Sequence, residues 1–278
     1  MKPQKHFQHR LQTLSALHDA VGAMRSLSAH HYRQSRQALL PARQYREEIN
    51  AVIAEIGINQ SVNIGIPGGL LVIGSDLGLC GDYNSQISDA AMKQSQETDA
   101  RTVYAVGKRG ESAFQNAPGI ERHSYDAPVS TKGLIQLLSV LAEDLISDYL
   151  SRKIGSLHVV SAQFDGVGHF TPISTRLLPI ESVSGTQRFT PSPYVAPDHL
   201  RFVAIREFLF ITLYEILLEA NVAEHGMRLL ATESALDWLE ENATSTSHRL
   251  ATARTEAATQ ELLDIVSSRR RDISNAFD

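Results

Sequence analysis

One cysteine, Cys80, stands in a chain of 278 residues, so no internal disulfide can form and nothing in the thiol content marks an oxidising compartment. The chain also lacks any run approaching the roughly 20 apolar residues that cross a bilayer. Its greasiest stretches, 64–73 and 208–213, are short or interrupted by Gly. The first thirty residues hold no continuous apolar segment and carry Asp19 among scattered bases, so neither an export nor a transit signal is read there, and the expectation is cytoplasmic residence. Excess basic charge is missing as well. With 31 acidic against 26 basic residues the net charge is -5, which argues against a nucleic-acid partner gripped by phosphate neutralisation. The length and the 42% of hydrophobic residues supply a buried core, which excludes disorder as the main state.

Glycine and proline are scarce at the two ends. Between residues 4 and 40 there is only Gly22, while Leu14, Leu17, Val21 and Met24 follow the a/d rhythm of a coiled-coil seam. The same register runs on through Ser28, His31, Ser35 and Ala38, with small and polar side chains. After Pro197 no further proline occurs and only Gly226 interrupts, which predicts a helix of unusual length, one that protrudes from a globule of this size. Leu209, Leu213, Ile216, Ala220, Ala223, Met227 and Leu230 keep a four-three spacing, and Ala251, Ala258, Leu262 and Ile265 resume it in a shifted phase. Residues 1–50 carry eight bases and three acids, and residues 200–278 carry eight bases and thirteen acids. Opposite net charge and matching seams suit the two helices to pair, antiparallel because a middle domain joins them. The alternative is two helices of an ordinary bundle.

The middle of the chain changes period. Residues 70–73, 102–106, 157–161 and 175–180 are short, apolar or β-branched and strand-like, with helical stretches at 85–96, 108–115 and 131–150 between them. The fold class predicted is α/β: a long antiparallel coiled coil of N- and C-terminal helices plus a central Rossmann-like domain with a largely parallel sheet. The expected boundaries are 1–60 for the first helix, 65–195 for the central domain and 198–278 for the last helix. Residues 181–197, rich in Pro, Ser, Thr and Gly, read as a surface loop.

Enzyme chemistry finds little support. The turn after the first strand, 74–84, has three glycines at a strand-to-helix junction but neither a P-loop ending nor dinucleotide-fingerprint spacing. Cys80 reads as a small buried side chain rather than a nucleophile. Of eleven histidines, His6, His9, His18, His30 and His31 lie near the start without ligands at metal spacing; the rest, His225 among them, are isolated in sequence. No catalytic residue, cofactor site or metal site is assigned.

Four motifs in order carry a resemblance over almost the whole chain. They are Ala23-Met24 with Arg33 and Ser35; Ser75-Asp76-Leu77-Gly78-Leu79-Cys80-Gly81 with Asn84; Ser161-Ala162-Gln163-Phe164 with Pro172-Ile173-Ser174 and Leu177-Leu178-Pro179; and the stretch of Glu224 and Arg228 with the closing Ala253-Arg254, Ala257 and Thr259-Gln260-Glu261. The sequence resembles the gamma subunit of F-type ATP synthases. That resemblance implies a central rotor shaft, itself non-catalytic, whose terminal helices turn inside a hexamer of alpha and beta subunits. Its α/β domain would sit on the epsilon subunit and the membrane rotor ring, without inserting in the bilayer, at the cytoplasmic face of a bacterial inner membrane. Partner contacts carried over are Met24, Arg25, Arg33, Arg36, Arg228, Arg254, Thr259 and Glu261. With Leu14 at position a, Arg25, Arg33, Arg36, Arg43 and Arg46 fall off the seam and are expected to point outward toward acidic loops of beta. For Glu224 and Arg228, four residues apart, the plain alternative is an ion pair on an exposed surface.

Departures mark a divergent branch. Leu77 replaces an arginine of the turn, Asp82-Tyr83 replaces Gly-Leu, residues 19–22 lack the usual two lysines, Thr255 replaces a common Gln, and residues 267–278 extend past the usual stop. The alternative function is a non-rotary α/β coiled-coil adaptor of gamma-like ancestry.

Overall fold

A computed structural model describes residues 2–57, 65–128, 131–180 and 196–275. The chain divides into an α/β unit, Leu27–Ala231, and a helix-pair unit made from Met1–Ser26 and Thr232–Asp278. The elements in order are α1 (Lys2–Ile56), β1 (Gly68–Ile73), α2 (Tyr83–Glu97), β2 (Ala100–Val106), α3 (Lys108–Ser112), β3 (Glu121–Tyr125), α4 (Thr131–Leu150), β4 (Ser156–Gly166), β5 (His169–Leu178) and α5 (Pro197–Asn275). Most of the loop expected at 181–197 lies outside the described residues.

The α/β unit is built on one five-stranded sheet in the order β3-β2-β1-β4-β5. Its pairings are parallel except β4 with β5, which form an antiparallel hairpin. Strand β1 is buried along its whole length because both faces are covered, as its unbroken apolar run requires. Leu71 and Ile73 point into a core shared with Leu134, Leu138, Leu141 and Leu145 of α4. Leu70 and Val72 point the other way, against Ile87 and Ala91 of α2 and Phe114 beyond α3. Strand β3 is absent from the sequence expectation. Its residues Glu121, Arg122, His123, Ser124 and Tyr125 are polar and mostly exposed, and pairing with β2 at the sheet edge holds them.

Within this unit α5 is wrapped on nearly all sides. Ile211, Leu213, Leu217, Leu218, Ala220, Val222 and Ala223 are each at most 6% exposed, the burial expected of a helix that is apolar all round. It lies against α1 in antiparallel sense, because rising positions on one meet falling positions on the other. Ser35 Oγ donates to Asn221 Oδ1 at 3.0 Å, Arg43 Nη2 to Glu219 at 2.7 Å, and Tyr45 Oη to Glu207 at 2.9 Å. The helix-pair unit repeats the sense. Leu14 and Val21 pack on Leu236 and Leu239, Arg25 Nη2 lies 3.1 Å from Glu233 and His18 Nε2 lies 3.5 Å from Glu240, and Gln4 donates to the Ala253 carbonyl at 3.1 Å.

The buried stripe on α1 differs from the expected a/d seam. The a positions Leu14, Val21, Ser28, Ser35 and Ala42 are all buried, and so is His31 at d, at 8% exposed, but Leu17 at d is 47% exposed, whereas Tyr32 and Leu39 at e are 8% and 6% exposed. A helix of 3.6 residues per turn drifts by about 20° per heptad against a 3.5 repeat, which here turns the contact from a/d to a/e. On α5 the expected Leu230, Ala251, Ala258, Leu262 and Ile265 are exposed. Leu209, Leu213, Ala220, Ala223 and Met227 of the expected spacing are buried, but from Thr232 onward the buried positions are Thr232, Leu236, Leu239, Thr246 and Leu250, a phase that two threonines hide from a pattern of aliphatic residues.

Candidate functional site

The turn after β1 is braced by the polar residues of its own motif. Ser75 Oγ and Asn84 exchange hydrogen bonds, and Ser75 N–H donates to Asn84 Oδ1 at 3.2 Å. Asp76 accepts from the backbone N–H groups of Lys108 at 2.9 Å and Ala127 at 3.0 Å, fastening the loops that follow β2 and β3 to the one that follows β1. Gly107 sits at φ 83, and a Cβ there would lie 2.8–2.9 Å from the Ser75 backbone. Cys80 is 2% exposed, receives Asn84 Nδ2 at 3.0 Å, and burial pushes its thiol pKa up. A thiol so held is packing material rather than a nucleophile, in line with its sequence reading.

In a doubly wound sheet, ligands bind in the crevice at the carboxyl ends of the strands. Here α5 occupies that place. Leu217, Ala220, Asn221 and Glu224 face Ile73, Gly74, Val106 and Tyr83 across a remaining cavity of only about 10 Å³. Tyr83, one of the departures in the motif, is fully buried and directs its hydroxyl toward the Ile73 and Ala220 carbonyls, each at 3.5 Å.

Arg228 locks α5 to the turn. Its Nε donates to the Gly78 carbonyl at 3.2 Å and Nη2 to the Leu77 carbonyl at 3.1 Å, while Nη2 lies 2.6 Å from Glu224 Oε1 with side-chain exposures of 3% and 12%. The ion pair is therefore buried, not on an exposed surface. Burial raises the Glu224 carboxyl pKa and Arg228 pulls it back. A second inward couple, Arg43 and Arg46 with Glu215, corrects another expectation. Arg46 Nε is 2.5 Å and Arg43 Nε 3.5 Å from a Glu215 carboxylate that is itself 7% exposed. Burial raises Glu215, against the pull of the two arginines. Arg25, Arg43 and Arg46 thus reach across to α5 instead of outward; the shift of the stripe toward e brings Arg25 and Arg46 to its edge.

Of the remaining sequence-predicted residues, Met24 is half-buried and Arg33 and Arg36 are exposed. Arg33 Nε donates to its own helix at the Ala29 carbonyl, 3.2 Å away, and Arg36 Nη1 to Tyr32 Oη at 2.9 Å. In the helix-pair unit Arg254, Thr259 and Glu261 are exposed. Arg254 and Glu261, seven apart, share a face, with Thr259 roughly 140° round the helix; its hydroxyl donates to the Thr255 carbonyl at 2.9 Å. Arg228 is the one of these residues that bonds to the turn. His31, on the α1 seam, and His225, isolated in sequence, have rings that meet across α1 and α5 at 5.1 Å, a pairing that no spacing pattern signals.

A family described as ATP synthase matches residues 4–270. The chain belongs to the ATP synthase gamma family. The ATP synthase gamma chain of Geotalea uraniireducens is 24% identical over 279 residues, 95% of this chain and 96% of its own. That of Desulforamulus reducens is 22% identical, covering 96% of this chain and 98% of its own. Among solved structures, one chain from the rotor of Euglena gracilis mitochondrial ATP synthase resembles this one with a TM-score of 0.62 at 12% identity, covering 91% of this chain and 98% of its own. A chain from the central stalk and c-ring of the Tetrahymena thermophila enzyme does so with a TM-score of 0.59 at 17% identity, covering 78% and 99%. The gamma family fold is thus present with both terminal helices and the α/β domain.

Proposed function

We propose that this chain is the central rotor stalk of an F-type ATP synthase, a non-catalytic subunit whose rotation couples ion flow through a membrane sector to ATP synthesis or hydrolysis in an alpha/beta hexamer. The observation that carries this reading is the reach of the family match, residues 4–270. It takes in both terminal helices and the domain between them, which an adaptor outside a rotary enzyme has no need to keep together. The partners that follow are alpha and beta around the paired helices, and epsilon and the membrane rotor ring beside the α/β domain. Attachment is peripheral, at the cytoplasmic face of a bacterial inner membrane, and among the described residues no helix is long and apolar enough to cross a membrane. The segments 1–60, 65–195 and 198–278 serve as first shaft helix, domain and second shaft helix.

The filled crevice supports the non-catalytic reading. With α5 over the strand ends and no phosphate-cradling motif in the turn, the isolated chain is expected to show no ATP binding at micromolar concentration by calorimetry. Binding that disappears when the Gly78 turn is altered would overturn it.

Of the five α1 arginines expected to point outward, Arg33 and Arg36 are the two that bond within α1 and not to α5, and they are the ones offered to a stator. Replacing both by Glu is expected to leave assembly intact, because the grip of a hexamer on two long helices rests on a large packed surface. Turnover of the reconstituted complex at low ionic strength is expected to fall roughly fivefold and to recover as salt screens the repulsion. Unchanged low-salt turnover would remove these residues from the shaft contact, and loss of assembly would make them structural anchors.

A further inference from the structure

Where α1 meets α5 in the α/β unit, the rings of His31 and His225 meet with their planes inclined by 31°. His31 is 8% exposed, and its Nε2 is buried without a hydrogen-bond partner. His225 Nδ1 lies 3.3 Å from Arg228 Nη1. A guanidinium can only donate, so Nδ1 accepts and the ring is neutral with its proton on Nε2. Arg228 cannot turn away to make room for a second cation, because Glu224 and the Leu77 and Gly78 carbonyls hold it.

The other titratable groups facing the pair, or the Arg228–Glu224 couple beside it, are His30 on α1, Asp76 and Cys80 in the turn and Tyr83 on α2. Neither carboxylate is free to neutralise a new charge. Glu224 is taken by Arg228, and Asp76 by two backbone N–H groups. A proton added at Nδ1 of His225 would break its bond to Arg228 and set imidazolium against guanidinium. One added to His31 would place a cation in the helix contact beside His30 and Arg228.

We propose that the His31–His225 pair is an acid-sensitive joint between the terminal helices, closed while both rings are neutral and opened when either takes a proton. Burial lowers the pKa of both rings, with Arg228 adding to the effect, and His225 comes down to about 3. The sign follows from linkage. An opened joint binds protons below the ordinary histidine pKa of about 6.5 and the closed joint does not. Closure is therefore fully favoured above that pH and loses its advantage as pH falls through 6.5 toward the folded value. In the stalk reading, the consequence is a stalk that softens as the surrounding solution acidifies. The joint itself rests only on the packing of this chain.

Amide hydrogen exchange of the full chain at pH 7.5 and 5.5, corrected for intrinsic rates, tests it. Opening of residues 28–35 and 222–229 is expected to increase roughly tenfold at the lower pH for each proton taken up, while β1 amides stay unchanged. In His225→Gln, whose amide oxygen can still accept from Arg228, the response should shrink, and in the double variant with His31→Gln it should vanish. An equal acid response in wild type and double variant would overturn the proposal. So would a His225 ring resonance in the wild type that titrates near 6.5. Neither result would touch the stalk reading, since the test uses the chain alone.

Discussion

Arg228→Met is expected to destabilise the α/β unit by about 3–5 kcal/mol, the usual cost of breaking a buried ion pair by removing one partner. The Glu224 side chain is 12% exposed and would be left as an uncompensated carboxylate under Tyr83 and Ala220, and the Leu77 and Gly78 carbonyls would lose their donors. Glu224→Gln should be milder, about 1–2 kcal/mol, because the amide oxygen still accepts from the guanidinium and the turn carbonyls continue to offset its charge. Removing both charges together should cost less than the sum of the single changes, since no unpaired ion remains. Urea titration followed by circular dichroism checks all three. Equal, small losses for Arg228→Met and Glu224→Gln would mean that the lock contributes little.

The second large effect is expected at Gly107. With φ at 83, a side chain there is strained at the outset. A Cβ would also sit 2.8–2.9 Å from the Ser75 backbone, atoms that cannot swing aside as a flexible side chain would. Strain and overpacking together predict a loss of about 3–5 kcal/mol for Gly107→Val. The damage would spread to the turn, because Ser75 also carries the bonds to Asn84. Gly119 offers the control. It too has positive φ, at 77, but open space around its Cβ, so Gly119→Ala should cost only the backbone term of about 1–2 kcal/mol. A Gly107→Val protein as stable as the Gly119→Ala one would show that the contact with Ser75 relaxes freely.

Much of the fold was legible because few residue types serve each element. Long stretches without proline, and with a single glycine each, announced α1 and α5, and the apolar run of β1 could only be a strand covered on both faces. Helix α4 was read with its bounds, since its leucines repeat at helical spacing and Thr131 opens it. Strand β3 was not legible, because an edge strand held by backbone pairing needs no apolar signal. The outer half of the β4–β5 hairpin was missed for the same reason: its burial alternates and its side chains are largely polar.

The site was harder to read than the fold. Charged residues on a helix are solvated by default, so nothing in the spacing of Glu224 and Arg228 said that the sheet crest would enclose them. The shift from an a/d to an a/e stripe decided which arginines face inward, and a helical drift of that size exceeds what a seven-residue pattern records. His31 and His225 lie far apart in sequence and meet only because α1 and α5 run antiparallel. The motif around Ser75, Asp76 and Asn84 was legible as a family mark, but its work is internal bracing of loops.

The most direct test of the stalk reading attaches a marker to the α/β unit of this chain, assembled with its alpha and beta partners on a surface, and follows its orientation while ATP is hydrolysed. Continuous rotation in one direction, in step with turnover, is the predicted result. A hexamer that hydrolyses ATP while the marker stays fixed, or that forms without taking up the chain, would contradict it.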